Sequence, residues 1–220
     1  QGYFFAKPEI LSKKDISANH MTKLELINEA GRTTLDLVKI AQLIKKDVSV
    51  SFKLLKFINS AYYKRPTPLN TVKDAITYLG EDELKRFINV VAVSDLSEGK
   101  PNELIRASII RARMCEQCGT VFKCKFNGDE LFTLGLFSCM DAMLDISMTD
   151  ILESIQFSEK MKSALLGEDT EFTKILKIVT VVEKGDWQNK FFTVMDGTKI
   201  VEKLPGFYMD ALKMADSFMA

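Results

Sequence analysis

FTLGLFSCMDAML, residues 132–144, is where the chemistry of this chain would have to gather. Gly135, Ser138, Cys139 and Asp141 interrupt an otherwise apolar tract: three small residues, and a carboxylate where a core residue is expected. Either two elements pack tightly there or a reactive site once stood there. Cys115 and Cys118 spell C-E-Q-C, a spacing shared by metal and redox pairs. A zinc site needs four ligands on turns that let the side chains converge. This pair instead falls within helical periodicity, with no glycine turn between the cysteines and no histidine after them. It reads as two small apolar residues one turn apart on a buried face. His20 is the one histidine, so no site built from several can exist. No Gly-x-Ser-x-Gly elbow hosts a serine nucleophile, and no glycine-rich phosphate loop appears.

Two surface features carry weaker signals. Lys45, Lys46, Lys53, Lys56, Lys64 and Arg65 form a basic concentration that could meet a phosphate or an acidic partner. Their spacing also suits the solvated face of two helices, which is the simpler reading. Tyr62 and Tyr63 follow Asn59, Ser60 and Ala61. Of two adjacent tyrosines, one ring commonly packs inward while the other faces out.

The elements that must position these residues are helical. The chain has 220 residues, 46% hydrophobic and 27% charged, enough to bury a substantial core. Lys+Arg equals Asp+Glu at 30 each, so charge exerts no global pull toward nucleic acid or an anionic membrane. No apolar run reaches the length of a membrane span. Four cysteines with no secretory signal suggest reduced thiols in the cytoplasm.

Caps and apolar periodicity predict about ten short helices. Thr34 is expected to cap a helix with Leu37, Val38, Ala41 and Ile44 inward. Asp47 should cap the next, with Val48, Phe52, Leu55 and Ile58 inward. KRPTPLN (64–70) must be a loop. Thr71 and Asp74 start a helix that ends at Leu79, with Gly80 turning left-handed. The following helix buries Leu84, Phe87, Ile88 and Val91. Asn102 opens a long helix, and Asp129 opens the helix holding 132–144. Ser147 and Ser158 cap two more. The run 171–184 is read as a helix, although its β-branched content makes a strand the alternative. A last helix spans about 207–218. The opening QGYFFAKP instead reads as a short strand and its exit, cut off from an upstream partner. The expected fold is an all-α globular bundle with a short N-terminal extended segment.

FKLLKFINSAYYKRPTPLNTVKDAITYLGEDELKRFI (52–88) closely resembles the HDOD domain. The match rests on Asn59, Ser60, Ala61, Tyr62 and Tyr63, and on Ala75, Ile76, Leu79 and Gly80. The resemblance implies an all-α relative of the HD-superfamily metal-dependent phosphohydrolases that generally lacks their metal ligands. HD enzymes carry a Gly-Leu-Leu-His-Asp-x-Gly helix. Gly135, Leu136 and Phe137 match its approach, Ser138 and Cys139 stand in place of the metal-binding pair, and Asp141 replaces the second glycine. QGYFFAKP resembles the last strand of EAL domains, which are cyclic di-GMP phosphodiesterases, and Gln1 matches a glutamine of that active site. GDWQNKFF and FYMDALKMADSF resemble the tail of proteins that join EAL to HDOD.

The resemblance therefore divides the chain into an EAL remnant at 1–9 and an HDOD unit at 10–220. It implies a non-catalytic regulatory or interaction domain in bacterial signalling, with no catalytic residue, no metal and no cofactor in this chain. Its partners would be an EAL domain upstream in the same polypeptide and a further signalling protein, without membrane insertion or nucleic acid. The alternative is the C-terminal part of a cyclic di-GMP phosphodiesterase. A third reading keeps a nucleotide pocket without its metal.

Overall fold

Short polar side chains start most of the helices. The computed structural model describes residues 18–32, 34–63, 65–121, 127–186 and 200–219. Its elements are α1 (Ala18–Ala30), α2 (Leu37–Lys46), α3 (Val48–Ile58), α4 (Val72–Leu96), α5 (Asn102–Val121), α6 (Gly128–Phe137), α7 (Met140–Leu144), α8 (Met148–Ser154), α9 (Glu159–Leu165), α10 (Glu171–Glu183) and α11 (Ile200–Met219). No strand occurs among the described residues, and the fold is all-α. The segment 1–9, with Gln1, lies outside them.

Asp47, Thr71, Ser147 and Ser158 each accept a hydrogen bond from a backbone N–H in the first turn of their helices, as the sequence predicts. Two caps differ. Asp36, not Thr34, opens α2, because its carboxylate adjoins the first turn and accepts from the N–H groups of Val38 and Lys39. Asn127, not Asp129, opens α6, and Glu130 completes a reciprocal capping box. Thr170 and Thr173 form another at the start of α10, which settles 171–184 as helix. Phe172, Ile175 and Val179 are buried along it.

The inner face of α3 is only in part the one expected: Ile58 is buried and Leu55 half-buried, as expected, but the face is turned at its start. Val50, Leu54, Phe57 and Ile58 are buried, whereas Val48 and Phe52 are 81% and 65% exposed. Both sets fit helical spacing, and only the neighbours of the helix decide which one packs. In α2, Ile44 is buried as expected, but Ile40 is its inward partner, while Leu37 and Val38 are exposed. The last helix begins at Ile200 rather than near 207. Buried Ile200 and Leu204 hold its first turns in place despite Pro205.

Two apolar clusters share α4 as a wall. The first joins α1 to α3 with the α4 side chains Leu84, Phe87, Ile88 and Val91. The second surrounds α5 and takes Val90, Val93 and Leu96 from the opposite face of α4. Gly80 divides α4 with φ 73° and ψ −177°, a backbone conformation essentially reserved for glycine. It redirects the chain so that both clusters are served. α6, α10 and α11 pack on α5.

Candidate functional site

The tract 132–144 is two helices rather than one. α6 ends at Phe137, Ser138 and Cys139 form the break, and α7 begins at Met140. Gly135 explains why small residues are needed. A Cβ added there would lie 2.6 Å from Cα and 2.7 Å from N of Ala112, and 2.7 Å from the carbonyl oxygen of Arg111. The backbones of α5 and α6 therefore touch at this crossing.

That contact brings Arg111 to the break. Its Nη1 donates to Ser138 Oγ at 2.9 Å and to Cys139 Sγ at 2.8 Å. Its Nε and Nη2 hold the Glu183 carboxylate of α10, with Nη2 to Oε2 at 2.7 Å. Burial by itself lowers the pKa of the guanidinium, but the Glu183 bonds outweigh it and hold the group firmly charged. Burial pushes the Cys139 thiol upward despite Arg111 beside it, so the sulfur accepts as a neutral thiol. Asp141 does not join this group. Its Oδ1 accepts from the neighbouring N–H of Ala142 at 2.8 Å.

These residues do not suit the metal of an HD-type site. A hydroxyl and a neutral thiol are poor ligands, and a permanent guanidinium already touches both. A divalent ion beside it would meet like charge. Among the described residues, no group of three His, Cys, Asp or Glu side chains is placed to hold a metal ion. Cys115 and Cys118 are buried on α5, and burial pushes the Cys118 thiol up to about 12. Cys124 lies outside the described residues, as does the side chain of His20.

The Asn-Ser-Ala-Tyr-Tyr stretch works as a latch. The Asn59 amide clamps the following loop, donating to the carbonyl of Leu69 and accepting from its N–H, each at 2.8 Å. Ala61 is exposed in the turn, and the Ser60 hydroxyl is buried without a hydrogen-bond partner. Tyr63 packs edge-on against Phe57 and Tyr62, and its hydroxyl donates to Glu83 Oε1 at 3.0 Å. Burial first, then Glu83, raises the Tyr63 pKa.

Glu83 continues into a polar chain that composition did not reveal. Arg86 binds Glu83 at 2.8 Å, Glu116 at 2.6 Å and Asp129 at 2.7 Å. Arg113 binds Glu116 and Asp210, both at 2.8 Å, and Gln117 donates to the same Asp210 oxygen. Glu116 thus bridges two guanidiniums on a buried face. Burial raises its pKa, and both arginines oppose that. The spacings Glu83/Arg86 and Arg113/Glu116 are i, i+3 pairs and could have been found in the sequence. Their links to Asp129 and Asp210 are tertiary. The Arg111–Ser138–Cys139–Glu183 group spans α5, the α6–α7 break and α10, and no local spacing announces it.

The all-α bundle thus gathers a guanidinium, a hydroxyl, a thiol and a carboxylate where α5, the α6–α7 break and α10 meet. The HDOD domain family model matches residues 20–169, and the chain belongs to that family. It is 32% identical over 188 residues to the cyclic di-GMP phosphodiesterase CdgJ of Vibrio cholerae, which covers 86% of this chain and 44% of CdgJ. It is 30% identical over 190 residues to the uncharacterized protein YuxH of Bacillus subtilis, covering 85% of this chain and 46% of YuxH. The chain therefore spans less than half the length of either relative. A provisionally named metal-dependent phosphohydrolase from Shewanella amazonensis SB2B has the same fold, with TM-score 0.57, 16% identity and coverage of 94% and 93% of the two chains. No helix among the described residues is long and apolar enough to cross a membrane.

Proposed function

We propose that this chain is a non-catalytic regulatory and protein-interaction unit of a cytoplasmic cyclic di-GMP signalling protein. Residues 1–9 are then the tail of an upstream EAL domain, and the rest is the HDOD unit. The observation that carries this reading is the Arg111 guanidinium bonded to Ser138, Cys139 and Glu183. On this reading the guanidinium takes the place of the cation that an HD enzyme holds with acids and imidazoles, and it offers neither nucleophile nor base. The resemblance to CdgJ supplies the signalling context.

A second reading makes the chain the C-terminal part of a cyclic di-GMP phosphodiesterase. The name of CdgJ and the partial coverage of that protein favour it. The two readings agree about this chain and differ about the neighbour it accompanies. The test is cyclic di-GMP turnover by this chain alone, by the longer natural protein, and by the longer protein carrying Arg111→Met. The expected pattern is no turnover by the chain alone, and an altered rate in the longer protein when Arg111 is changed. Turnover by the chain alone would overturn the non-catalytic reading. An unaltered rate would overturn the regulatory one.

A further inference from the structure

Packed protein interiors leave few spaces larger than a water molecule. The place where α3, α4, α5 and α11 meet keeps one, a cavity of about 220 Å³. Phe57, Phe87, Val90, Val91 and Ile109 line it, and all of them are buried. The cavity lies on the seam between the two apolar clusters. Phe57, Phe87 and Val91 belong to the first, and Val90 and Ile109 to the second. Phe218 borders the cavity and packs against both.

Shape and polarity restrict what fits. The ring of Phe57 lies 23° from that of Phe218 and 32° from that of Phe87, with centroids 4.0 Å and 5.5 Å apart. Three rings with nearly parallel planes suit a planar molecule better than a globular one. Charge is already settled at the mouth. Lys53 and Lys56 stand there, but Lys53 is bound to Asp95 and Lys56 is engaged as well. No anionic group is therefore called for. The other polar side chains of the lining are serines. Ser217 donates to the Met214 carbonyl, which leaves the hydroxyls of Ser49 and Ser94 to meet a single polar edge.

We propose that this cavity is a binding site for a small, neutral, planar aromatic molecule with one polar edge. An apolar cavity of about 150 Å³ lined by leucine, isoleucine and phenylalanine takes up benzene. The larger volume here leaves room for a second fused ring. The ligand touches both apolar clusters at once and fills space that neither reaches, so it favours the packing of α3 against α5 across α4. In a regulatory unit it would be an input signal. The site itself stands on the cavity and needs no part of that reading.

The test uses the whole chain with Ile and Val methyl groups labelled for NMR, titrated with indole as the probe. Saturable shifts are expected at Val90, Val91, Ile105 and Ile109, which line the cavity. Ser94→Trp sets a ring across the mouth from a half-buried position and should weaken binding by about tenfold or more. Indole carboxylate should bind no tighter than indole, because the lysines at the mouth have partners. Four results would overturn the proposal: no saturable shift up to the solubility of indole, shifts confined to another surface, unchanged affinity in a folded Ser94→Trp chain, or tighter binding of the carboxylate. If Ser94→Trp fails to fold, Ser49→Trp at the exposed rim replaces it, with the same expected and contradicting results. The readout needs no neighbouring domain, so it separates from the functional reading. An effect of Arg111→Met on cyclic di-GMP turnover without indole binding overturns only the site. Indole binding that leaves turnover by the longer protein unchanged supports the site and overturns only its role as an input.

Discussion

Arg111 Nη1 lies 2.8 Å from Cys139 Sγ, and the same guanidinium grips Glu183 at 2.7 Å. One cation thus ties α5 to the α6–α7 break and to α10. Removing it leaves a sheltered carboxylate without its partner, the costly way to break such a pair. Arg111→Met should lower stability by about 3 kcal/mol in urea denaturation. Adding Glu183→Leu should recover much of that loss, because no unpaired charge then remains. Equal losses in the single and double variants would mean that Arg111 acts by packing alone.

Gly135→Ala should be destabilising by about 1–3 kcal/mol, the range for overpacking a close contact. The new methyl would strike backbone atoms of Arg111 and Ala112 rather than a movable side chain. Ala112→Gly should therefore fail to rescue it. A rescue, or an unchanged denaturation midpoint, would show that α5 and α6 have room to separate.

Tyr63 predicts a response to alkali. Its folded pKa is raised above the ordinary tyrosine value of about 10 by burial and by Glu83. The unfolded chain loses this proton near pH 10, while the folded chain keeps it. The stabilising contribution is full below pH 10 and is lost as pH rises above it. Tyr63→Phe should flatten the fall in stability between about pH 10 and 11 relative to wild type. Parallel curves would show that the Tyr63–Glu83 bond carries no such linkage.

The buried thiols should be inert. Burial raises the pKa of Cys115, Cys118 and Cys139, so little thiolate forms at neutral pH. In the native chain, a disulfide reagent at pH 8 should modify all three far more slowly than in the urea-unfolded chain. Rapid labelling of Cys139, identified by peptide mapping, would mean that Arg111 activates it.

Much of the scaffold can be read from local signals. Asp47, Thr71, Ser147 and Ser158 cap as their positions suggest, and Gly80 takes the positive φ that its place between two apolar runs requires. The inward set Leu84, Phe87, Ile88 and Val91 is also correct. Local signals fail where two answers fit the same period. Val48 and Phe52 satisfy helical spacing as well as Val50 and Leu54 do, and only tertiary neighbours choose between them. The candidate site divides in the same way. Gly135, Ser138 and Cys139 stand out by their size in an apolar tract. Arg111, 27 residues before Ser138, and Glu183, 72 residues after Arg111, join them only through folding.

The most direct test of the central claim is metal analysis of the chain purified without chelator, followed by a cyclic di-GMP hydrolysis assay with added manganese or magnesium. With a guanidinium bonded to Ser138 and Cys139, metal should be substoichiometric and hydrolysis absent. One tightly held metal ion per chain, or turnover abolished by Asp141→Asn, would contradict the account.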